Sequence, residues 1–122
     1  MIYENKNYDE ERALYDVENA TVRNCTFAGE ADGESALKEC RNIKVDSCLF
    51  ELRYPFWHVD GAEISNITMT ETCRAALWSD NDVSIEKSTL HGIKALRECK
   101  NVKLSECDID SEEFGWRCAD IL

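Results

Sequence analysis

One frame of apolar and turn-forming residues recurs along the whole chain, and few architectures can accommodate it. The frame is clearest as Leu37, Cys40, Asn42, Ile43, Val45, Cys48 and Phe50, with mostly polar residues between. It returns as Leu96, Cys99, Asn101, Val102, Leu104, Cys107 and Ile109, and as Leu14, Val17, Asn19, Ala20, Val22, Cys25 and Phe27. Looser copies fill the gaps: Phe56, Val59, Gly61, Ala62, Ile64, Ile67 and Met69, then Leu77, Asp80, Asp82, Val83, Ile85, Ser88 and Leu90. Another begins at Gly115, Cys118, Asp120 and Ile121, where the given sequence stops. The turn position of successive copies falls at 19, 42, 61, 82, 101 and 120, in steps of 23, 19, 21, 19 and 19 residues.

A period near 20 suits a leucine-rich repeat or a parallel β-helix. Leucine-rich repeats need dense leucine and a helical return. Here the apolar columns hold Val, Ile, Cys, Phe and Met, which favour strands. Ile43 and Val45 alternate with Lys44 and Asp46, the two-residue period of a half-buried strand. Cys48 and Phe50 make a second short alternation, and Leu37 and Cys40 bracket a third segment. The expected fold is therefore all-β, a single-stranded parallel β-helix of about five coils of ~20 residues plus a partial sixth. Residues 1–13 are expected to cap the open first coil, as a short helix or an irregular strand, and residues 14–122 to form the repeats.

The repeat predicts specific files of stacked side chains. Val22, Val45, Ile64, Ile85 and Leu104 form one, and Phe27, Phe50, Met69, Leu90 and Ile109 another. Cys25, Cys48, Ile67, Ser88 and Cys107 form a third, and Val17, Cys40, Val59, Asp80, Cys99 and Cys118 a fourth. The turn file is Asn19, Asn42, Gly61, Asp82, Asn101 and Asp120, all residue types that tolerate a left-handed backbone. Stacked Asn amides can also bond to one another along the axis.

Three runs carry a family resemblance: Cys-Arg-Asn-Ile-Lys at 40–44, Phe-Trp-His at 56–58 and Glu-Phe-Gly-Trp-Arg-Cys at 113–118. With these the chain resembles the right-handed parallel β-helix proteins of the pectin-lyase-like group, and within it an uncharacterised bacterial family of unknown function. The resemblance implies a right-handed winding, and members with further coils than this chain has. Pectin-cleaving members of the group act with acidic clusters, or with calcium and an arginine base. The matching runs are not present here, and His91-Gly92-Ile93-Lys94 lacks partner acids in the corresponding coils. Fold alone does not carry function across so diverse a group.

Lys plus Arg total 14 against 25 Asp plus Glu, a net charge of −11. That balance argues against nucleic-acid or anionic-membrane partners, which favour a basic face. No apolar run reaches the ~20 residues of a spanning helix, and Met1 to Asn7 lacks an apolar signal core. Six of the seven cysteines follow the repeat and read as small hydrophobes filling a narrow interior. Paired Cys-x-x-Cys spacing is absent, so no metal site or cofactor is expected. Free thiols in a reducing cytoplasm are the expectation, although Cys25 and Cys48 fall close enough to bridge. Cys73 lies outside the files and is the first thiol to name if any is exposed and reactive, although a structural role is expected for it. The acids of the 28–36 loop do not match an EF-hand spacing, which leaves it a solvated loop.

Two constellations can carry chemistry. The first is an outward file of Tyr15, Lys38, Trp57, Trp78, Arg97 and Trp116. Trp57 and Trp78 occupy successive coils, and a flat aromatic platform would take the apolar face of a sugar ring, with Lys38 and Arg97 beside it to hold a carboxylate. The alternative is that the indoles pack under a loop or against another domain. The second is Asp80 and Asp82, with Asp60 one coil earlier and His58 nearby. Asp80 interrupts an apolar file, and two carboxylates in a groove can serve as acid and base in glycoside hydrolysis. The alternative is that both bond the backbone of their turns. The chain is thus expected to be a non-catalytic scaffold or binding module for an oligosaccharide or protein, or else a polysaccharide hydrolase or lyase using Asp60, Asp80 and Asp82. The coil entered at Cys118 leaves unpaired backbone groups, which predicts end-to-end pairing with a second copy or a C-terminal continuation.

Overall fold

The computed structural model describes every residue except Ala31, Asp32 and Leu122. Asp32, one of the acids of the 28–36 loop, therefore lies outside the described residues. Sixteen short strands follow one another. The first nine are β1 (Ile2–Glu4), β2 (Asn7–Tyr8), β3 (Glu18–Arg23), β4 (Thr26–Phe27), β5 (Arg41–Asp46), β6 (Leu49–Phe50), β7 (Phe56–Trp57), β8 (Asp60–Ser65) and β9 (Thr68–Met69). The remainder are β10 (Leu77–Trp78), β11 (Asn81–Glu86), β12 (Thr89–Leu90), β13 (Leu96–Arg97), β14 (Lys100–Ser105), β15 (Asp108–Ile109) and β16 (Ala119–Ile121). No helix occurs among the described residues.

All pairing is parallel and joins equivalent strands of successive coils. The long strands make one seven-stranded sheet in the order β1-β3-β5-β8-β11-β14-β16. The two-residue strands make a six-stranded sheet, β15-β12-β9-β6-β4-β2, and a three-stranded one, β13-β10-β7. The third sheet continues below β7 as single backbone bonds, Leu37 N–H to Pro55 C=O at 2.7 Å and Leu14 N–H to Ala36 C=O at 2.7 Å. The result is a parallel β-solenoid of about six turns. Residues 1–13 join it by strand pairing, with Tyr3 opposite Val22 and Tyr8 opposite Phe27.

The expected files are the observed ones. Val22 pairs with Val45, Val45 with Ile64, Ile64 with Ile85, and Ile85 with Leu104. Phe27, Phe50, Met69, Leu90 and Ile109 stack in the same manner. The rings of Phe27 and Phe50 lie 4.6 Å apart at 7°, and Tyr8 extends the stack below at 5.1 Å. Most of these side chains are fully buried, so the core is a continuous column along the axis. No coil could bury this surface alone.

Each coil turns through left-handed residues, and there are more of them than the repeat predicts. The expected turn file has φ of 56° at Asn19, 52° at Asn42, 81° at Gly61, 59° at Asp82, 58° at Asn101 and 56° at Asp120. Three more files do the same: Asn24, Ser47, Asn66, Lys87 and Glu106; Asp16, Glu39, His58, Ser79, Glu98 and Arg117; and Arg12, Ser35, Tyr54, Ala75, Lys94 and Glu113. A non-glycine residue in this region costs of order 1–3 kcal/mol. It persists because the coils above and below hold each corner by hydrogen bonds.

Those corners also explain the cysteines. The N–H that follows a corner turns inward, where a side chain of the next coil meets it. Ser88 Oγ accepts from Ile67 at 3.2 Å, and Cys118 Sγ accepts from Cys99 at 3.2 Å. Thiols donate in the other sense, Cys40 to the Leu14 carbonyl at 3.1 Å and Cys99 to that of Leu77 at 3.0 Å. Cysteine is thus both filler and hydrogen-bonding group in these files. Burial pushes the Cys40 thiol up to about 11 and that of Cys48 up to about 12. Cys73, the thiol to name first if any were exposed, has the structural placement expected of it. In the 70–76 loop Cys73, Ala75 and Ala76 are buried, Cys73 wholly so. Gly92 permits this, since a Cβ there would lie 2.1 Å from the Cys73 carbonyl oxygen.

Phe50 sits in the middle of the aromatic file, and Phe50→Ala is expected to lower stability by roughly 3–5 kcal/mol. Equilibrium urea unfolding measures this, and an unchanged midpoint would contradict a continuous stacked core.

Candidate functional site

The outward file flanking the third sheet is assembled as the repeat predicts. Trp57 pairs with Trp78 and Trp78 with Arg97. Arg97 bridges to Trp116 above, and Lys38 lies one coil below Trp57, whose carbonyl accepts from Glu39 N–H at 2.8 Å. The arrangement of the rings differs from a flat platform. Trp57 and Trp78 are stacked face to face, with centroids 4.4 Å apart and planes at 3°. The Lys38 ammonium lies 4.3 Å from the Trp57 centroid, and the Arg97 guanidinium lies 4.1 Å from that of Trp78. The result is a four-layer pile of cation, indole, indole and cation across four coils. Parallel strands about 4.8 Å apart impose this, because side chains in register then stack at nearly ring-contact distance.

The pile hides both ring faces and presents ring edges to solvent. Tyr54 closes one flank, edge-on to Trp57 at 6.2 Å and to Trp78 at 5.3 Å. His58 lies beside the pile, its ring 5.6 Å from that of Trp57 and nearly parallel to it at 18°. Trp116 stands apart from the pile and is 37% exposed, with Lys94 at 4.8 Å and Arg117 at 5.5 Å from its ring. The charges are unevenly satisfied. Arg97 has one loose ion pair, to Glu98 at 3.8 Å, and its Nε is buried without a hydrogen bond. Lys38 has its cation–π contact, and no carboxylate pairs with it among the described residues.

The acids do not form a comparable site. Asp80 is 1% exposed and points into the column, where its Oδ1 accepts the Val59 N–H at 2.8 Å. Val59 follows the left-handed His58, so Asp80 fills the same corner role as Ser88 and Cys118. Its Oδ2 has no partner among the described residues. Burial pushes the Asp80 carboxyl well above the usual carboxylate range, the Val59 hydrogen bond opposing this. Asp82 faces outward on the turn file and accepts from Asn101 Nδ2 at 2.5 Å. Asp60 is exposed at the start of β8, between Arg41 and Asn81. One carboxyl inside the column and two outside do not converge on an open groove. Among the described residues no cluster of His, Cys, Asp and Glu could hold a metal ion.

Sequence reasoning missed Tyr54 and the cations around Trp116. Tyr54 lies in a left-handed file of mixed composition, Arg12, Ser35, Tyr54, Ala75, Lys94 and Glu113, and no residue preference marks that file. Lys94 shares it, which is why Lys94 reaches Trp116 in the coil above while bonded to Glu113 at 3.2 Å.

A buried carboxyl with a raised pKa makes the fold depend on pH with a definite sign. The folded state holds the Asp80 proton more tightly than the unfolded chain does. Its contribution is fully present below the ordinary carboxylate value of 3.8 and is lost as pH rises towards the folded pKa. Asp80→Asn keeps an oxygen for the Val59 N–H and cannot ionise. The variant's Tm is expected to equal the native one near pH 4 and to exceed it increasingly up to pH 8. Thermal denaturation across that range checks this, and parallel native and variant curves would show that Asp80 is not held neutral.

Comparison with curated proteins finds no match, and comparison with solved structures finds none either. The solenoid and its in-register files therefore stand without a functional counterpart. Residues 1–122, the whole of the given sequence, match the family described as protein of unknown function (DUF3737), and the chain belongs to that family.

Proposed function

We propose that the chain is a non-catalytic β-solenoid binding module that takes a carboxylate-bearing oligosaccharide along the Lys38–Trp57–Trp78–Arg97 pile. The observation that carries this reading is the capping of the two indoles by cations, one of them without a carboxylate partner among the described residues of a chain of net charge −11. With both ring faces covered, stacking of a neutral sugar on an indole has little support. Ring edges carry the positive side of the aromatic quadrupole, and Lys38 and Arg97 add formal charge and hydrogen-bond donors. The row therefore suits an anionic ligand running along the column axis. A guanidinium held flat against an indole is pre-organised, so less is lost when it binds a carboxylate.

The acids support the same conclusion. A hydrolase needs two carboxyls flanking one bond, whereas Asp80 serves a backbone N–H inside the column and Asp82 bonds Asn101 outside it. The test is calorimetric titration with an oligouronate and with a neutral oligosaccharide of equal length. Native protein is expected to bind the oligouronate, more weakly as salt rises, and not the neutral chain. Arg97→Gln is expected to weaken binding by about tenfold or more, the worth of one charge-assisted hydrogen bond. Trp78→Ala, which removes the support under Arg97, is expected to weaken it at least as much. Equal binding of both sugars, or of neither, would refute the proposal.

A further inference from the structure

The turn file on the edge of the seven-stranded sheet carries two side-chain hydrogen bonds, separated by a position with no side chain. Asn42 Nδ2 donates to Asn19 Oδ1 at 2.6 Å, and Asn101 Nδ2 donates to Asp82 Oδ1 at 2.5 Å. Both bonds run toward the N-terminal coil, and the second can run no other way, because an ionised carboxylate has no donor. Between them stands Gly61, with no side chain. A Cβ there would meet nothing closer than the Asn42 backbone N at 3.5 Å, an ordinary contact, so space does not demand glycine. Its φ of 81° is one that Asn, the residue type of the neighbouring rungs, also tolerates. Gly61 lies in a recess of about 210 Å³ lined also by Asn42, Lys44, Glu63, Asp82 and Ser84, with others beside it at Asn19–Asn42 and Asp82–Asn101.

The recess has a defined chemistry. Below it Asn42 has turned its amino group down to Asn19, which leaves its carbonyl oxygen facing up. Above it Asp82 has one oxygen bonded to Asn101 and the other with no side-chain partner among the described residues. Lys44 and Glu63 are paired at 3.8 Å and balance each other, so Asp82 gives the site one net negative charge. An Asn in the empty place would donate to Asn42 but set its own oxygen against the Asp82 carboxylate. The complementary occupant has donors on both edges and a positive charge. Two coil spacings, about 9–10 Å, separate the Asn42 and Asp82 backbones. A planar guanidinium, wider than a compact ammonium, can fork onto the carboxylate with one edge and donate to the amide with the other.

We infer that the gap over Gly61 is a guanidinium-binding site, separate from the aromatic face and independent of what that face binds. The group can belong to a free guanidino compound or to an arginine side chain of a polypeptide. The test is amide NMR of the folded chain titrated with N-acetyl-arginine methylamide, with a short arginine-containing peptide, and with N-acetyl-lysine methylamide as control. Saturable shifts are expected for the amides of Asn42, Gly61, Glu63 and Asp82 with the arginine probes and not with lysine. Asp82→Asn, which removes the charge, and Gly61→Asn, which fills the gap, are each expected to weaken binding by about tenfold or more, and both positions lie on the surface. Saturation by the blocked amino acid supports the site with a free guanidino compound as its ligand. Saturation by the peptide alone supports it with a polypeptide partner. An equal response to lysine, shifts that persist unchanged in Gly61→Asn, or no saturation by either arginine probe overturns it.

Discussion

Everything in this structure depends on backbone hydrogen bonds that run between coils rather than within them. A coil of about 20 residues holds only short strands, the longest of six residues, and these have no partner in their own turn. Strand N–H and C=O groups are met from one coil away, as when Asp60 donates to Cys40 and Asn81 to Val59. That requirement fixes the spacing at about 4.8 Å and forces identical positions into register. It also allows the chain to carry 23 left-handed non-glycine residues among those described, since each corner is clamped from two sides. Taken singly, such residues would be strained.

Register has a polar consequence inside the column and another outside it. Inside, the corners aim backbone groups at the core, and the files beside them must contain atoms that can bond. Cysteine, serine and aspartate appear there for that reason, and Asp80 is the extreme case, a buried carboxyl whose pKa burial raises. Outside, register turns like residues into rows. The stacked indoles, the Asn19–Asn42 bond and the Lys44–Glu63 pair are all products of one translation along the axis. Specific chemistry arises where a row is interrupted: a cation above and below two tryptophans, or a glycine under an aspartate.

The charge distribution follows the same geometry. Acids dominate the chain, yet Lys38, Arg97, Lys94 and Arg117 gather on the face that carries all three tryptophans. A cation seated on an indole in this position keeps its charge while hiding its stem. The face therefore gathers aromatic rings and cations on an acidic molecule.

The sequence by itself determined the winding, the interior files and the outward file. Each is a repeated choice of residue type, and Val45 over Ile64 or Trp57 beside Trp78 could be read from spacing alone. One of the four corner files was legible too, because Asn, Asp and Gly mark it, whereas Tyr54, Ala75 and Lys94 adopt the same backbone with no such mark. What only the tertiary structure decided was orientation. Spacing places Trp57 and Trp78 on one face but leaves open whether their rings lie flat or stack, and it places Asp80 and Asp82 two residues apart without saying that one is buried. Those outcomes depend on the hydrogen bonds and ring contacts supplied by the coils above and below, whose positions are known only once the chain has closed on itself.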